Sequence, residues 1–263
     1  FKLSNYASFL VSLVFMLNGY IITRVEFFSV FSSSIWIPAI FLFVKRYLEK
    51  QKLTYFLLSS FFMSMPIFAG SVQIYFYNLI LLIIYIVWFS LSYKKDIFKN
   101  ILRYCVMCIL SLALSMVQLL PFIEYVINSN RGSGLDYQSA SCWSLPITHL
   151  INFVLPYFYG DPSLSPYVGE GQFWVMCFYI GFLPFILAVI FSLLKKNKMI
   201  LFLFITFLCF LIISLGRYTP VFYVLYNFIL PFKMIRYPAT AMYIGVLLLS
   251  LLAGYGFDNL QNG

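Results

Sequence analysis

Charged residues in this chain fall in clusters, and long apolar stretches run between them. Leu3 to Thr23, Phe27 to Val44, Tyr104 to Ile123, Gly171 to Leu194, Met199 to Gly216 and Tyr237 to Phe257 contain no Asp, Glu, Lys, Arg or His. Each approaches or exceeds the length a helix needs to cross about 30 Å of hydrocarbon at 1.5 Å per residue. Leu53 to Tyr93 runs 41 residues without a charge, about twice that thickness, and so predicts a helical hairpin. Its turn is expected in Met65-Pro66-Ile67-Phe68-Ala69-Gly70-Ser71, where Pro and Gly interrupt the helical pattern. The pattern predicts an all-α, polytopic transmembrane helical bundle in a single domain over 1–263. It has about eight spans, near 4–23, 28–45, 53–67, 71–93, 101–125, 172–194, 199–216 and 238–257.

Charge then orients the spans, because loops on the cytoplasmic side hold the Lys and Arg excess. Alternate connections are basic: Lys45, Arg46, Lys50 and Lys52; Lys94, Lys95, Lys99 and Arg103; Lys195, Lys196 and Lys198. With Lys2 they place 12 of the 17 basic residues on one side. The other side holds Arg24, Arg131, Arg217, Lys233 and Arg236, together with Glu26, Glu124, Asp136, Asp161 and Glu170. Both termini are expected inside, and the net charge of +9 is topological rather than a footprint for nucleic acid.

Composition agrees. The chain is 63% hydrophobic and 10% charged, with mean hydropathy +0.94, where a soluble domain is about a quarter charged. Cys105 and Cys108 form a C-x-x-C, but no second ligand pair accompanies them and the other cysteines are scattered, so they read as packing residues and no metal site is expected. No cofactor is indicated. The chain begins at Phe1 without a leader pattern and stops just past its last span, so both ends look cut from a longer protein.

Cytoplasmic connections are short. The outer loops, 128–170 and 217–237, are long and broken by Pro, yet each contains an apolar run: Ser144 to Phe158, and Tyr218 to Phe232. These are expected to be short helices lying in the interface plane. Ionisable groups are absent from the charge-free runs, which weakens an ion-coupled transporter. The candidates for chemistry are therefore outer ones. Glu124 follows Gln118 and Pro121, Glu170 sits between Gly169 and Gly171, and His149 is the single histidine. Each fits either acid–base or substrate contact or a plain structural role. Arg217, Lys233 and Arg236 bracket the apolar run Tyr218 to Phe232, a combination suited to a lipid phosphate, though snorkelling anchors would look the same.

Four stretches carry a resemblance: Ser115-Met116-Val117-Gln118-Leu119-Leu120-Pro121-Phe122-Ile123-Glu124; Ser144-Leu145-Pro146 through Leu155-Pro156-Tyr157-Phe158-Tyr159-Gly160; Tyr167-Val168-Gly169-Glu170-Gly171-Gln172-Phe173-Trp174 with Tyr179-Ile180-Gly181-Phe182-Leu183-Pro184; and Ile235-Arg236-Tyr237-Pro238-Ala239-Thr240 through Leu252-Ala253-Gly254-Tyr255-Gly256-Phe257-Asp258. In order and spacing they resemble the YfhO-like family of bacterial membrane proteins, within the GT-C glycosyltransferase superfamily. The resemblance implies a multi-pass protein of the bacterial cytoplasmic membrane. It also implies transfer of a sugar from a polyprenyl-phosphate carrier to a cell-envelope polymer acceptor on the outer face. In that superfamily the catalytic carboxylate belongs to the first outer loop, which this stretch of chain is expected to lack. A divalent metal is compatible with the family but nothing in the residues points to one. A transport or flipping protein for lipid-linked sugars or other envelope lipids is the alternative.

Overall fold

Ser4 opens the first helix: its side chain accepts the Ala7 N–H and satisfies one of the donors that a helix start leaves free. The computed structural model describes residues 3–129, 132, 134–164, 166–194 and 197–262. Lys2, Arg131, Lys195 and Lys196, four of the charges that orient the spans, lie outside the described residues.

In chain order the helices are α1 (Asn5–Met16), α2 (Gly19–Thr23), α3 (Phe28–Ser34), α4 (Ile37–Lys50), α5 (Leu53–Phe68), α6 (Val72–Ser92) and α7 (Ile97–Leu114). They continue with α8 (Met116–Ile127), α9 (Tyr137–Ala140), α10 (Phe173–Met176), α11 (Phe182–Leu194), α12 (Lys198–Leu215), α13 (Pro220–Phe228) and α14 (Met242–Asn262). Among the described residues six helical stretches are long and apolar enough to cross a membrane: Asn5–Thr23, Phe28–Lys50, Val72–Ser92, Ile97–Leu114, Lys198–Tyr218 and Pro238–Gln261. Leu53–Phe68, Met116–Ile127 and Phe182–Leu194 are apolar but shorter. The protein is a polytopic helical bundle and a multi-pass membrane protein.

The sequence shows no boundary inside the chain, but packing divides it into two compact units, Phe27–Gly134 and Phe1–Glu26 with Leu135–Gly263. In the first, α4 to α7 pack together, and small polar contacts join α6 to α7. The Tyr75 and Ser111 hydroxyls bond at 2.8 Å, Tyr104 donates to the Leu79 carbonyl at 2.9 Å, and Asn100 Nδ2 donates to Ser90 Oγ at 2.9 Å. Such bonds hold apolar helices where burial alone gives no drive. The hairpin turn falls at Ala69–Ser71. Pro66 stays inside α5, and its carbonyl accepts both the Ser71 N–H at 3.0 Å and Ser33 Oγ–H at 3.1 Å. Gly70, at φ +91°, supplies the left-handed residue that closes this cap. The expected span 101–125 is not one helix. Ser115 turns its hydroxyl back onto the Ser111 carbonyl at 2.9 Å where α7 ends, and α8 begins anew with no residue buried and with Pro121 inside it.

The second unit is centred on α14, which packs against α1, α11 and α12. Gly254 and Gly256 make this possible: a Cβ on Gly254 would collide with Val11 of α1, and one on Gly256 would lie 2.9 Å from the Leu187 carbonyl of α11. Where α12 ends and α14 begins, a crown of short elements covers the helix ends. It comprises α9, a 3₁₀ turn at Ile147–Phe153, α10, α13 and 3₁₀ turns at Leu230–Lys233 and Pro238–Ala241. The Leu145 N–H donates to Ser214 at 2.8 Å, and the Leu135 N–H to Lys233 at 2.8 Å. The interfacial helix expected near Ser144 to Phe158 is thus a 3₁₀ turn, and that expected between Tyr218 and Phe232 is α13 followed by a 3₁₀ turn.

The expected span 172–194 also departs from a single helix. After the one turn of α10, Cys177 extends (φ −92°, ψ 108°), and helix resumes only at Phe182 beyond Gly181 at φ +97°. Val175, Met176, Cys177, Phe178 and Ile180 are nonetheless buried.

Candidate functional site

Buried non-helical backbone needs partners for its carbonyls, and the crown supplies them from three directions. Thr23 Oγ1 donates to the Trp174 carbonyl at 3.2 Å and Arg24 Nη2 to that of Val175 at 3.1 Å. Asn152 Nδ2 donates to Met176 at 3.1 Å, and the Gly19 N–H to Tyr179 at 2.7 Å. Asn18 stops α1 and caps α2 by accepting the Ile21 N–H at 2.9 Å. A Cβ on Gly19 would strike Cys177 Sγ, so only glycine lets these two backbones meet. Arg24 is 2% exposed. No carboxylate is within ion-pair reach of it among the described residues; its charge rests on the Tyr20 and Val175 carbonyls and on the Tyr20 ring, 3.5 Å below.

His149 stands on the 3₁₀ turn beside this segment. Its ring stacks on Tyr159 with centroids 4.2 Å apart, and its Nε2 accepts the Glu170 N–H at 3.2 Å. That bond requires an unprotonated Nε2, so the imidazole is neutral with its proton on Nδ1. Burial pushes its pKa below the ordinary value, and the nearby Glu170 carboxylate opposes this. The Glu170 carboxylate itself accepts from the Tyr218 hydroxyl at 2.5 Å. Burial pushes the Tyr167 hydroxyl up to about 12.

Next to Tyr218, exposed Arg217 gives Nε and Nη2 to the Ser141 carbonyl at 3.2 and 3.1 Å, while its backbone N–H bonds Ser144 Oγ at 2.9 Å. Burial raises the pKa of the nearby Tyr137 hydroxyl, and the Arg217 charge opposes this only in part. Tyr137 meets Tyr226 edge-on at 5.4 Å, and Lys233 Nζ lies 5.6 Å from the Tyr226 ring. Arg217 and Lys233 are therefore joined through a tyrosine surface along α13, from which Val221, Tyr223, Val224 and Phe228 are exposed. Arg236 is half-buried beside Tyr237, whose backbone is left-handed (φ 61°) and whose ring stacks at 4.1 Å on Trp143, also left-handed (φ 51°). Bulky residues held in that region store strain and are common at working sites.

Of the residues expected from sequence, His149 and Glu170 come into direct contact, and Arg217 joins them through Tyr218. Glu124 belongs to the other unit, on α8, where it lines an open cleft with Leu120, Pro121, Ile123, Ile127 and Asn128. Among the described residues no three of His, Cys, Asp and Glu are grouped to hold a metal ion. Sequence reasoning passed over Asn152, Tyr167 and Tyr218, and counted Arg24 as a loop charge. The one available signal was Asn152, three residues from His149. Comparison with family models, curated proteins and solved structures gives no match to this chain.

Proposed function

We propose that this protein is a membrane glycosyltransferase of the kind the YfhO-like resemblance implies, taking a sugar from a polyprenyl-phosphate carrier to a cell-envelope acceptor on the outer face of the bacterial cytoplasmic membrane. The observation that carries the reading is one continuous strip at the crown: the Glu170 carboxylate on Tyr218, Arg217 adjoining, then the apolar face of α13 leading to Lys233. A polyprenyl phosphate presents just this sequence of chemistries, a polar head at headgroup depth and a tail in hydrocarbon. Arg217 and Arg236 supply planar donors for phosphate oxygens. Cations and backbone donors of this sort stabilise charge building on a departing phosphate, while a carboxylate activates the acceptor hydroxyl. In this reading Glu170 orients the head.

A second reading, transport or flipping of a lipid-linked sugar, is favoured by the unwound segment Cys177–Gly181, since carriers bind substrates at interrupted helices. The test is transfer from a radiolabelled polyprenyl-phosphate sugar by the full-length protein in liposomes. The expected result is activity that collapses in Arg217→Lys and Arg236→Lys with normal membrane insertion. Unchanged activity in both variants removes them from the site. Lipid movement between leaflets without any transfer supports the second reading instead.

A further inference from the structure

Three polar atoms at the crown are shut off from solvent and have no hydrogen-bond partner among the described residues: His149 Nδ1, Asn152 Oδ1 and the Tyr167 hydroxyl. Buried polar groups are nearly always partnered, and an orphan among them calls for a cause. His149 and Asn152 are 1% and 3% exposed and stand three residues apart on the 3₁₀ turn, a spacing that places side chains on one face. Each is half used. His149 spends Nε2 on the Glu170 N–H, leaving Nδ1–H as a donor, and Asn152 spends Nδ2 on the Met176 carbonyl, leaving its oxygen as an acceptor. Tyr167 completes the group. A Cβ built on Gly169 would lie 2.5 Å from its hydroxyl and 2.8 Å from His149 Cε1, the ring carbon bonded to Nδ1.

One donor, one acceptor and one hydroxyl able to do either select the ligand's chemistry. An anion is repelled by the Asn152 oxygen, a cation by the His149 N–H, and an apolar group satisfies neither. Neighbouring hydroxyls of a neutral polyol satisfy all three. The walls add a preference for a ring with apolar C–H faces: Tyr159 lies against His149, Tyr157 stacks on Phe173 at 5.9 Å, and Tyr167 meets Phe173 edge-on at 5.9 Å.

We propose that His149, Asn152 and Tyr167 form a subsite for the hydroxyls of a neutral sugar ring, opened when the strap 168–171 lifts away. The strap is jointed for that movement. Gly169 and Gly171 flank Glu170, and Gly171 sits at φ +78°. Among the described residues it is held by the Val168 N–H donating to the Tyr159 carbonyl at 2.9 Å, the Glu170 N–H donating to His149 and the Tyr218 hydroxyl donating to the Glu170 carboxylate. The proposal deepens the glycosyltransferase reading, on which it rests for the choice of a sugar among polyols.

Because His149 is the single histidine in the chain, one ¹⁵N-histidine label reports the site directly. Full-chain protein in lipid nanodiscs is titrated with methyl glucosides, galactosides and mannosides, with glycerol as the control. The expected result is a saturable shift of the Nδ1–H signal by at least one glycoside, with binding about fivefold weaker in Tyr167→Phe, as for one lost hydrogen bond. Tyr6→Phe, exposed on α1, is expected to bind as the parent does. Three outcomes overturn the proposal: no response to any glycoside, the same response to glycerol, or a response unaltered in Tyr167→Phe. A contact from Nδ1–H to a buried water only, with no glycoside response, overturns it too. Glycoside binding in a protein that transfers no sugar leaves the subsite standing and sinks the glycosyltransferase; transfer with an unmoved His149 signal does the reverse.

Discussion

Two apolar stretches of similar length pack against each other in the second unit and are built in opposite ways. Met242–Asn262 is an unbroken helix whose carbonyls are met from within, while Phe173–Leu194 turns once, unwinds through Cys177–Gly181 and becomes helix again. Both are apolar enough for a span by composition. What separates them is the supply of outside donors: Thr23, Arg24, Asn152 and the Gly19 N–H all aim at carbonyls between Trp174 and Tyr179. At the far end the Tyr179 hydroxyl accepts the Phe182 N–H at 3.2 Å, so the restarted helix is capped by the segment it leaves. A helix can thus be broken inside a membrane protein when the neighbours replace its internal bonds.

The sharpest way to break the contrast is Arg24→Ala. It leaves the Val175 carbonyl buried without its donor and opens a void where a nearly inaccessible side chain stood. We expect a loss on the order of 3 kcal/mol, combining an orphaned acceptor with lost packing. It is read as a lower melting temperature of the detergent-solubilised protein, with proteolysis appearing between residues 173 and 181. An unchanged melt would show that the donors follow the unwinding rather than support it.

A smaller effect is expected at Gly181→Ala. Here φ is +97° and a Cβ would press 3.1 Å from Pro184 Cδ, so a cost of roughly 1–3 kcal/mol is expected from backbone strain. Its counterpart in the continuous helix, Gly254→Ala, meets no backbone strain but collides with Val11. The two variants separate a conformational demand from a packing one. Gly181→Ala should alter hydrogen exchange in α11, and Gly254→Ala the contact between α1 and α14.

The mildest change is made with pH. Desolvation holds the His149 pKa below that of the unfolded chain, so the neutral form is favoured by folding. Stability from this group is complete above the unfolded value near 6.5 and is lost as pH falls through the lower folded one. Protonation places an N–H on Nε2 where the Glu170 N–H donates. The Glu170 amide should therefore lose protection, measured against its intrinsic exchange rate at each pH, from about pH 7 to pH 5 while α14 amides keep theirs. Equal changes in both would dissociate His149 from the strap.

The bundle was legible because lipid imposes a simple rule: charge-free runs of sufficient length must be helix, and their ends must carry charge or turn chemistry. The hairpin turn could be read from Gly70, although Pro66 turned out to sit inside α5, where the Ser71 and Ser33 donors use its carbonyl. The candidate site was legible only in part. His149 and Glu170 drew notice as rare ionisable groups in apolar surroundings, but Tyr167 and Tyr218 are two of 21 tyrosines and nothing local marks them.

By itself, then, the sequence determined membrane residence, helical class, most of the spans and which loops carry the cations, because each follows from local composition and length. Tertiary structure alone decided where helices stop without a charge, as at Ser115 and Cys177, and how the chain divides into two units. It also decided that Arg24, 151 residues away in sequence, serves the backbone of Val175. Hydrogen-bond partners for a buried carbonyl are chosen by position in space, and position in space is not written in any one segment.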